Sequence, residues 1–154
     1  MRFLTDRMLG KLVRNLRIVG FDAVRLEDGA DPVEQARRTR RILLTRNRST
    51  ARRCASLDIE HILILDNYPH GQTREVLGRT GLKDRLEPFS RCLDCNSVLE
   101  KVDGKEKVKG WVPPFVYDTQ DSFSQCPGCG KYFWDATHIQ SMERFLESIL
   151  SDAS

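Results

Sequence analysis

Along the first part of the chain, apolar and polar positions switch repeatedly between short continuous runs and helical spacing. Residues 2–5, Arg-Phe-Leu-Thr, read as a strand with Asp6 at its carboxyl end. From Met8 the period lengthens: Leu9, Leu12, Val13 and Leu16 form a helical stripe, with Arg7, Lys11, Arg14 and Arg17 off it. Gly20 is predicted to close this helix in the left-handed conformation. Residues 21–26 are predicted as a second strand that leads into the acidic turn Glu27-Asp28-Gly29-Ala30-Asp31. In Asp31-Pro32-Val33-Glu34, an N-cap acid, a proline at the first helical position and a carboxylate three residues after the cap predict a helix to about Arg40. Ile42-Leu43-Leu44-Thr45 has the compact apolar form of a strand buried on both faces, and the Arg46-Asn47-Arg48-Ser49 turn follows it. Ser49 is predicted to cap a third helix through residue 57. Residues 61–65 then form a fourth strand ending at Asp66, and residues 72–79 a fourth helix.

Four strand-to-helix alternations, with connections too long for hairpins, predict a parallel sheet covered on both faces, an α/β sandwich. Ligands of such sheets gather outside the carboxyl ends of the strands, where a switch in strand order opens a crevice. Asp6, the 27–31 turn, Asn47 and Asp66 all belong to those ends. Carboxylates brought together there repel unless a divalent cation joins them, and hard oxygen donors suit Mg²⁺ or Mn²⁺, which can activate water for phosphodiester cleavage. The plainer reading of Asp6 and Asp66 is helix capping or loop solvation.

Beyond a connection at residues 81–90 the pattern changes. Cys92-Leu93-Asp94-Cys95 is echoed by Cys126-Pro127-Gly128-Cys129, and two such turns supply the four sulfurs of a structural Zn²⁺ site. A pair of disulfides or buried thiols is the alternative; Cys54 lies outside the pattern and reads as a buried small hydrophobe. Residues 97–102 and 105–109 flank Asp103-Gly104 as a predicted hairpin, residues 112–115 as an extended stretch, and residues 131–134 as an aromatic strand. Thr137 and Gln140 predict a capping box for a last helix with a stripe of Ile139, Met142, Phe145, Leu146, Ile149 and Leu150. The expected division is residues 1–90 and residues 91–154.

The net charge of +3 in 154 residues is unevenly distributed: residues 1–91 carry 19 Lys+Arg against 12 Asp+Glu, and residues 92–154 carry 6 against 10. Of those 19 cations 17 are Arg, eight of them between Arg37 and Arg53. A guanidinium fork suits phosphate oxygens, so a nucleic-acid partner is expected, with solvated helix faces as the competing explanation. Arg7, Lys11, Arg46 and Arg48 flank the strand ends and are the candidate nucleic-acid contacts. No apolar run approaches the ~20 residues of a membrane span, and residues 1–5 are too short for a signal peptide, so a cytoplasmic protein without a membrane partner is expected.

Residues 3–12 (Phe-Leu-Thr-Asp-Arg-Met-Leu-Gly-Lys-Leu), residues 42–47 (Ile-Leu-Leu-Thr-Arg-Asn), the paired Cys turns, and Tyr132-Phe133-Trp134 with His138 resemble the RNase domain named for the C-terminal region of the Mut-seven exonuclease. The resemblance implies a PIN-like three-layer sandwich followed by a zinc ribbon and terminal helix. It also implies metal-dependent RNA cleavage with Asp6 and Asp31 as acids, Asp28 and Glu34 being alternatives to Asp31. This chain has Thr45-Arg46-Asn47 where that family usually reads Thr-Arg-Asp. An amide offers a carbonyl oxygen but neither charge nor basicity, which implies a weaker metal site that Asp66 could compensate. His138 is assigned a structural or helix-start role. Trp111, Phe115, Tyr132 and Trp134 either stack on bases or fill the module's small core. The competing functions are an RNA-binding protein without catalysis and a zinc-ribbon adaptor for protein partners.

Overall fold

In the computed structural model, which describes residues 1–134 and 139–151, strands β1 (Arg2–Thr5), β2 (Asp22–Arg25), β3 (Ile42–Thr45) and β4 (His61–Leu63) pair in parallel in the order β2-β1-β3-β4. Helices α1 (Gly10–Ile18), α2 (Pro32–Thr39) and α3 (Arg48–Ser56) make the crossovers, and α4 (Pro69–Thr80) follows β4. Alternation across the pleat divides the core. Phe3, Leu44 and Ile62 pack with Leu12, Leu16, Val76 and Leu77 on the α1 and α4 side. Leu4 and Leu43 pack with Val33, Ala36 and Cys54 on the α2 and α3 side. The result is the expected three-layer α/β sandwich. The chain leaves β1 in one direction to reach β2 and returns past it to reach β3, so the strand order reverses between β1 and β3.

Several local expectations are corrected. Asn47, not Ser49, caps α3: its Oδ1 accepts from the Thr50 backbone N–H at 3.1 Å, and Arg48 is already helical. Helix α4 begins earlier than residue 72, because Pro69 fits its first turn, and Gly81 ends it with φ of 70°.

The small antiparallel sheet has the order β5 (Glu100–Lys101), β6 (Phe123–Gln125), β7 (Tyr132–Trp134). The hairpin at Asp103-Gly104 does not form. Gly104 turns the chain at φ of 98°, but Lys105–Val108 is a 3-10 turn that carries Val108 into the module's core, and β5 takes β6 as its partner. The stretch expected to be extended at residues 112–115 instead enters helix α5 (Pro114–Thr119), with proline in its first turn. Helix α6 (Ile139–Leu150) returns to the larger core, where Phe145 and Ile149 are buried and the His70 ring meets Phe145 edge-on at 4.9 Å. Thr137, His138 and the side chains of Ile139, Gln140 and Met142, on which the capping box and part of the stripe depend, lie outside the described residues.

Candidate functional site

Two groups of side chains carry chemistry: a sulfur cluster in the small module and a polar cluster at the carboxyl edge of the parallel sheet. In the first, the backbone of each Cys-x-x-Cys turn folds over its leading cysteine in the same way. Asn96 N–H donates to Cys92 C=O at 2.9 Å, and Gly130 N–H donates to Cys126 C=O at 2.9 Å. Both donors sit in the left-handed region, Asn96 at φ of 72° and Gly130 at 78°, which explains an asparagine and a glycine at these two places.

The four thiols are free, and their Sγ atoms lie within 4.8 Å of one another, with Cys95 to Cys126 at 3.0 Å and Cys92 to Cys129 at 3.8 Å. A tetrahedral set of thiolates about 2.3 Å from Zn²⁺ has edges of roughly 3.8 Å, so the donor set fits that ion. Burial pushes the Cys92 thiol up to about 12, whereas hydrogen bonding with Ser97 and Cys126 draws Cys95 down to about 6. This centre is one of the two parts legible from sequence spacing.

The first Cys turn is tied to the sheet. The Asn96 side chain accepts from Ala23 N–H at 3.1 Å and donates to Asp22 Oδ1 at 2.6 Å. Arg17 donates to Ala23 C=O and to Leu93 C=O, both at 2.9 Å. Burial alone would raise the Asp22 carboxyl; hydrogen bonds from Arg41 and Asn96 outweigh it and hold that carboxyl below its ordinary value.

At the carboxyl edge, Asp6 stands where the strand order reverses. It is 8% exposed, and its Oδ2 accepts from Thr45 Oγ1 at 2.5 Å and from Arg46 N–H at 3.2 Å, while Oδ1 accepts from Met8 N–H at 3.1 Å. A carboxylate has about four acceptor positions, so one remains. Thr45 Oγ1 in turn accepts from Asn47 N–H at 3.0 Å, which joins position 47 to Asp6 through one hydroxyl. The buried Thr5 hydroxyl, next to Asp6 in the chain, has no hydrogen-bond partner among the described residues.

Arg46 clamps two strand ends rather than projecting outward: Nη1 donates to Asp66 C=O, and Nη2 donates to Asn67 Oδ1 at 2.7 Å. Asp66 Oδ1 accepts from Tyr68 N–H at 2.8 Å. A Cβ at Gly71 would lie 2.0 Å from Asp66 Oδ2, so glycine at position 71 is what lets the carboxylate lie over the start of α4.

Asp31 is held apart from this network. Its Oδ1 caps α2 by accepting from Val33 N–H at 3.1 Å, and the Arg53 fork binds both oxygens at 3.1 and 2.7 Å. That fork keeps the Asp31 carboxyl below its usual range. Asp28 and Glu34 are exposed. The edge therefore brings Asp6, Asn47 and Asp66 into one hydrogen-bonded framework through Thr45 and Arg46, and it leaves Asp31 to Arg53. Among the described residues the four cysteines are the one group of three or more such side chains close enough to share an ion. Among the described residues the acids do not form a cage for Mg²⁺ or Mn²⁺. Arg7, Lys11 and Arg48 are exposed at the starts of the helices that leave this edge.

Thr45 is the site residue that the sequence reading missed. Its signal was a hydroxyl ending an otherwise apolar buried run, which must find a partner once buried.

Among the described residues, no helix is long and apolar enough to cross a membrane. No curated protein and no solved structure gives a match to the chain. A family model described as the Mut7-C RNAse domain matches residues 1–146, a span that takes in both the sheet edge and the four-cysteine centre. With nearly its whole length inside that match, the chain belongs to the Mut7-C RNAse domain family.

Proposed function

We propose that this chain is a divalent-metal-dependent ribonuclease that cleaves RNA phosphodiester bonds at the crevice between β1 and β3, with a structural zinc ion on Cys92, Cys95, Cys126 and Cys129. The observation that carries this reading is the position of Asp6: in a chain of an RNase domain family, it sits at the reversal of strand order and is anchored to β3 through Thr45. Mg²⁺ commonly takes one or two carboxylates and completes its shell with water and substrate phosphate, so the acceptor positions left on Asp6 and Asp66 would serve to recruit it. A divalent cation there would stabilise the charge on the reacting phosphate and activate water.

The protein's own groups do the positioning. Arg46 fixes the ends of β3 and β4 relative to each other, and Arg7, Lys11 and Arg48 meet the RNA backbone. In this reading residues 1–90 are the nuclease unit and residues 91–154 the ribbon, whose terminal helix packs back on the nuclease core. Four free thiols suit a reducing compartment, here the cytoplasm.

The test is cleavage of labelled RNA by zinc-loaded protein, with and without Mn²⁺. Cleavage should require Mn²⁺ and disappear in Asp6→Asn, with circular dichroism confirming that the variant is folded. Activity that persists in this variant or without any divalent cation ends the proposal. The pairing of Asp31 with Arg53 and the amide at position 47 favour a second reading, an RNA-binding protein without catalysis. RNA retention that weakens with salt, unaccompanied by cleavage, would establish it.

A further inference from the structure

We propose that the amino edge of the parallel sheet, opposite the Asp6 crevice, binds a nucleoside monophosphate, with Arg2, Arg40, Arg85 and Arg91 as the donors to its phosphate. A cavity of about 580 Å³ opens there, at the starts of β1 and β3, and these four arginines line it. Small-molecule sites span roughly 300–1,000 Å³, so the space suits a ligand of this size. One wall is firmly built. Glu87 N–H donates to Val19 C=O and Phe89 N–H to Ile18 C=O, both at 3.0 Å, which straps the segment after α4 along the end of α1. Arg91, on that strap, donates from Nε to Gly20 C=O at 3.0 Å and from Nη1 to Asn96 C=O at 2.8 Å, and Arg2 Nη2 donates to Thr39 C=O at 2.8 Å. Both guanidinium groups are thus oriented by carbonyls, which leave their charge uncancelled. Among the described residues none of the four arginines is in an ion pair, in contrast to Arg38, Arg41 and Arg53. Arg40 ends α2 at φ of 55°, a left-handed position that favours glycine. A side chain kept there costs backbone strain, which points to a use for its guanidinium.

Charge and shape decide what the cavity would take. Its lining carries the four arginines against two glutamates, Glu60 and Glu87, and the charged residues beside the lining in the chain, Asp22, Arg41, Lys83 and Asp84, sum to zero. The surplus of two positive charges matches a phosphate monoester, which carries about −1.5 to −2 at neutral pH. A carboxylate offers two oxygens to guanidinium forks; the three of a phosphate monoester can engage more of these arginines. Phe21, Ile42 and Leu82 supply an apolar side for a flat base. Glu60 and Glu87 can accept hydrogen bonds from ribose hydroxyls, and the same two carboxylates would repel a continuous RNA strand laid across the cavity. The lining therefore favours a single nucleotide over a polymer.

The experiment is calorimetric titration of adenosine 5′-monophosphate into zinc-loaded full-length protein at low salt, without Mg²⁺ or Mn²⁺. One molecule should bind per chain, and adenosine, which lacks the phosphate, should bind on the order of tenfold or more weakly. Arg40→Gly and Arg85→Gln should each weaken the nucleotide roughly tenfold. Because glycine suits the left-handed position, Arg40→Gly should do so while holding or raising the melting temperature, which separates lost binding from lost folding. No binding of the nucleotide, equal affinity for adenosine, or unchanged affinity in both variants overturns the proposal. Binding that disappears in Asp6→Asn would place the nucleotide in the crevice and overturn it as well. The ribonuclease reading is tested separately, since none of these titrations measures cleavage.

Discussion

At position 47 a helix start and a candidate ligand coincide. Asn47 begins α3 by accepting the Thr50 N–H, and it donates its own N–H to the hydroxyl that binds Asp6. Aspartate caps as well as asparagine, and its charge at a helix N-terminus adds about 0.3–1 kcal/mol. Asn47→Asp should therefore hold or raise the melting temperature while increasing Mn²⁺-dependent cleavage several-fold. Unaltered Mn²⁺ affinity together with unaltered cleavage would show that the missing carboxylate is unimportant. Asp31 raises the opposite question, since its charge is already committed to Arg53. Its folded pKa is depressed, so the stabilisation it provides is present above the unfolded value and is lost as pH falls through the lower folded one. Arg53→Ala should move the Asp31 titration, followed by NMR, up toward the ordinary carboxylate value, with little effect on stability because both partners are exposed. An Asp31 titration that stays put would assign the depression to the Val33 and Glu34 backbone N–H groups instead.

Among the elements, legibility follows length and burial. Strands β1, β3 and β4 announce themselves by compact apolar runs, and α2 because its cap, proline and acid coincide. The strands of the zinc module span two or three residues, too few to show a period, and β6 shows none. Asp103-Gly104 fits a hairpin locally, but burying Val108 in the module's core overrides that preference. Acids at strand ends were readable from position alone. Their partners were not, because Thr45 lies 39 residues from Asp6 and Arg53 lies 22 from Asp31. A module this short on regular structure is expected to depend on the ion proposed for its four cysteines. Cys92, pushed up to about 12, holds its proton at neutral pH, and Cys95, at about 6, has largely lost it. Zinc uptake at pH 7 should release protons, and affinity should fall as the medium is acidified through pH 6. Calorimetry in buffers of different ionisation enthalpy would detect this, and a proton-neutral, pH-independent binding step would contradict the four-thiol assignment.

For the whole molecule, the important connections run between the two parts of the chain: α6 fills the larger core, and the first Cys turn is laid along the outer side of β2. Asn96 and Arg17 take up the Ala23 N–H and C=O that this outermost strand turns away from β1. These are the groups to which a foreign strand would attach. In the zinc-loaded protein proposed above, the first Cys turn would also guard against self-association, and removing the ion should loosen that guard before the sheet itself fails. Chelator-treated protein should accumulate thioflavin-positive aggregates at temperatures where the zinc-loaded form stays clear, and Asn96→Ala should do so with zinc still bound. If light scattering finds the stripped protein monomeric and clear, the flank of β2 is protected by something other than this turn.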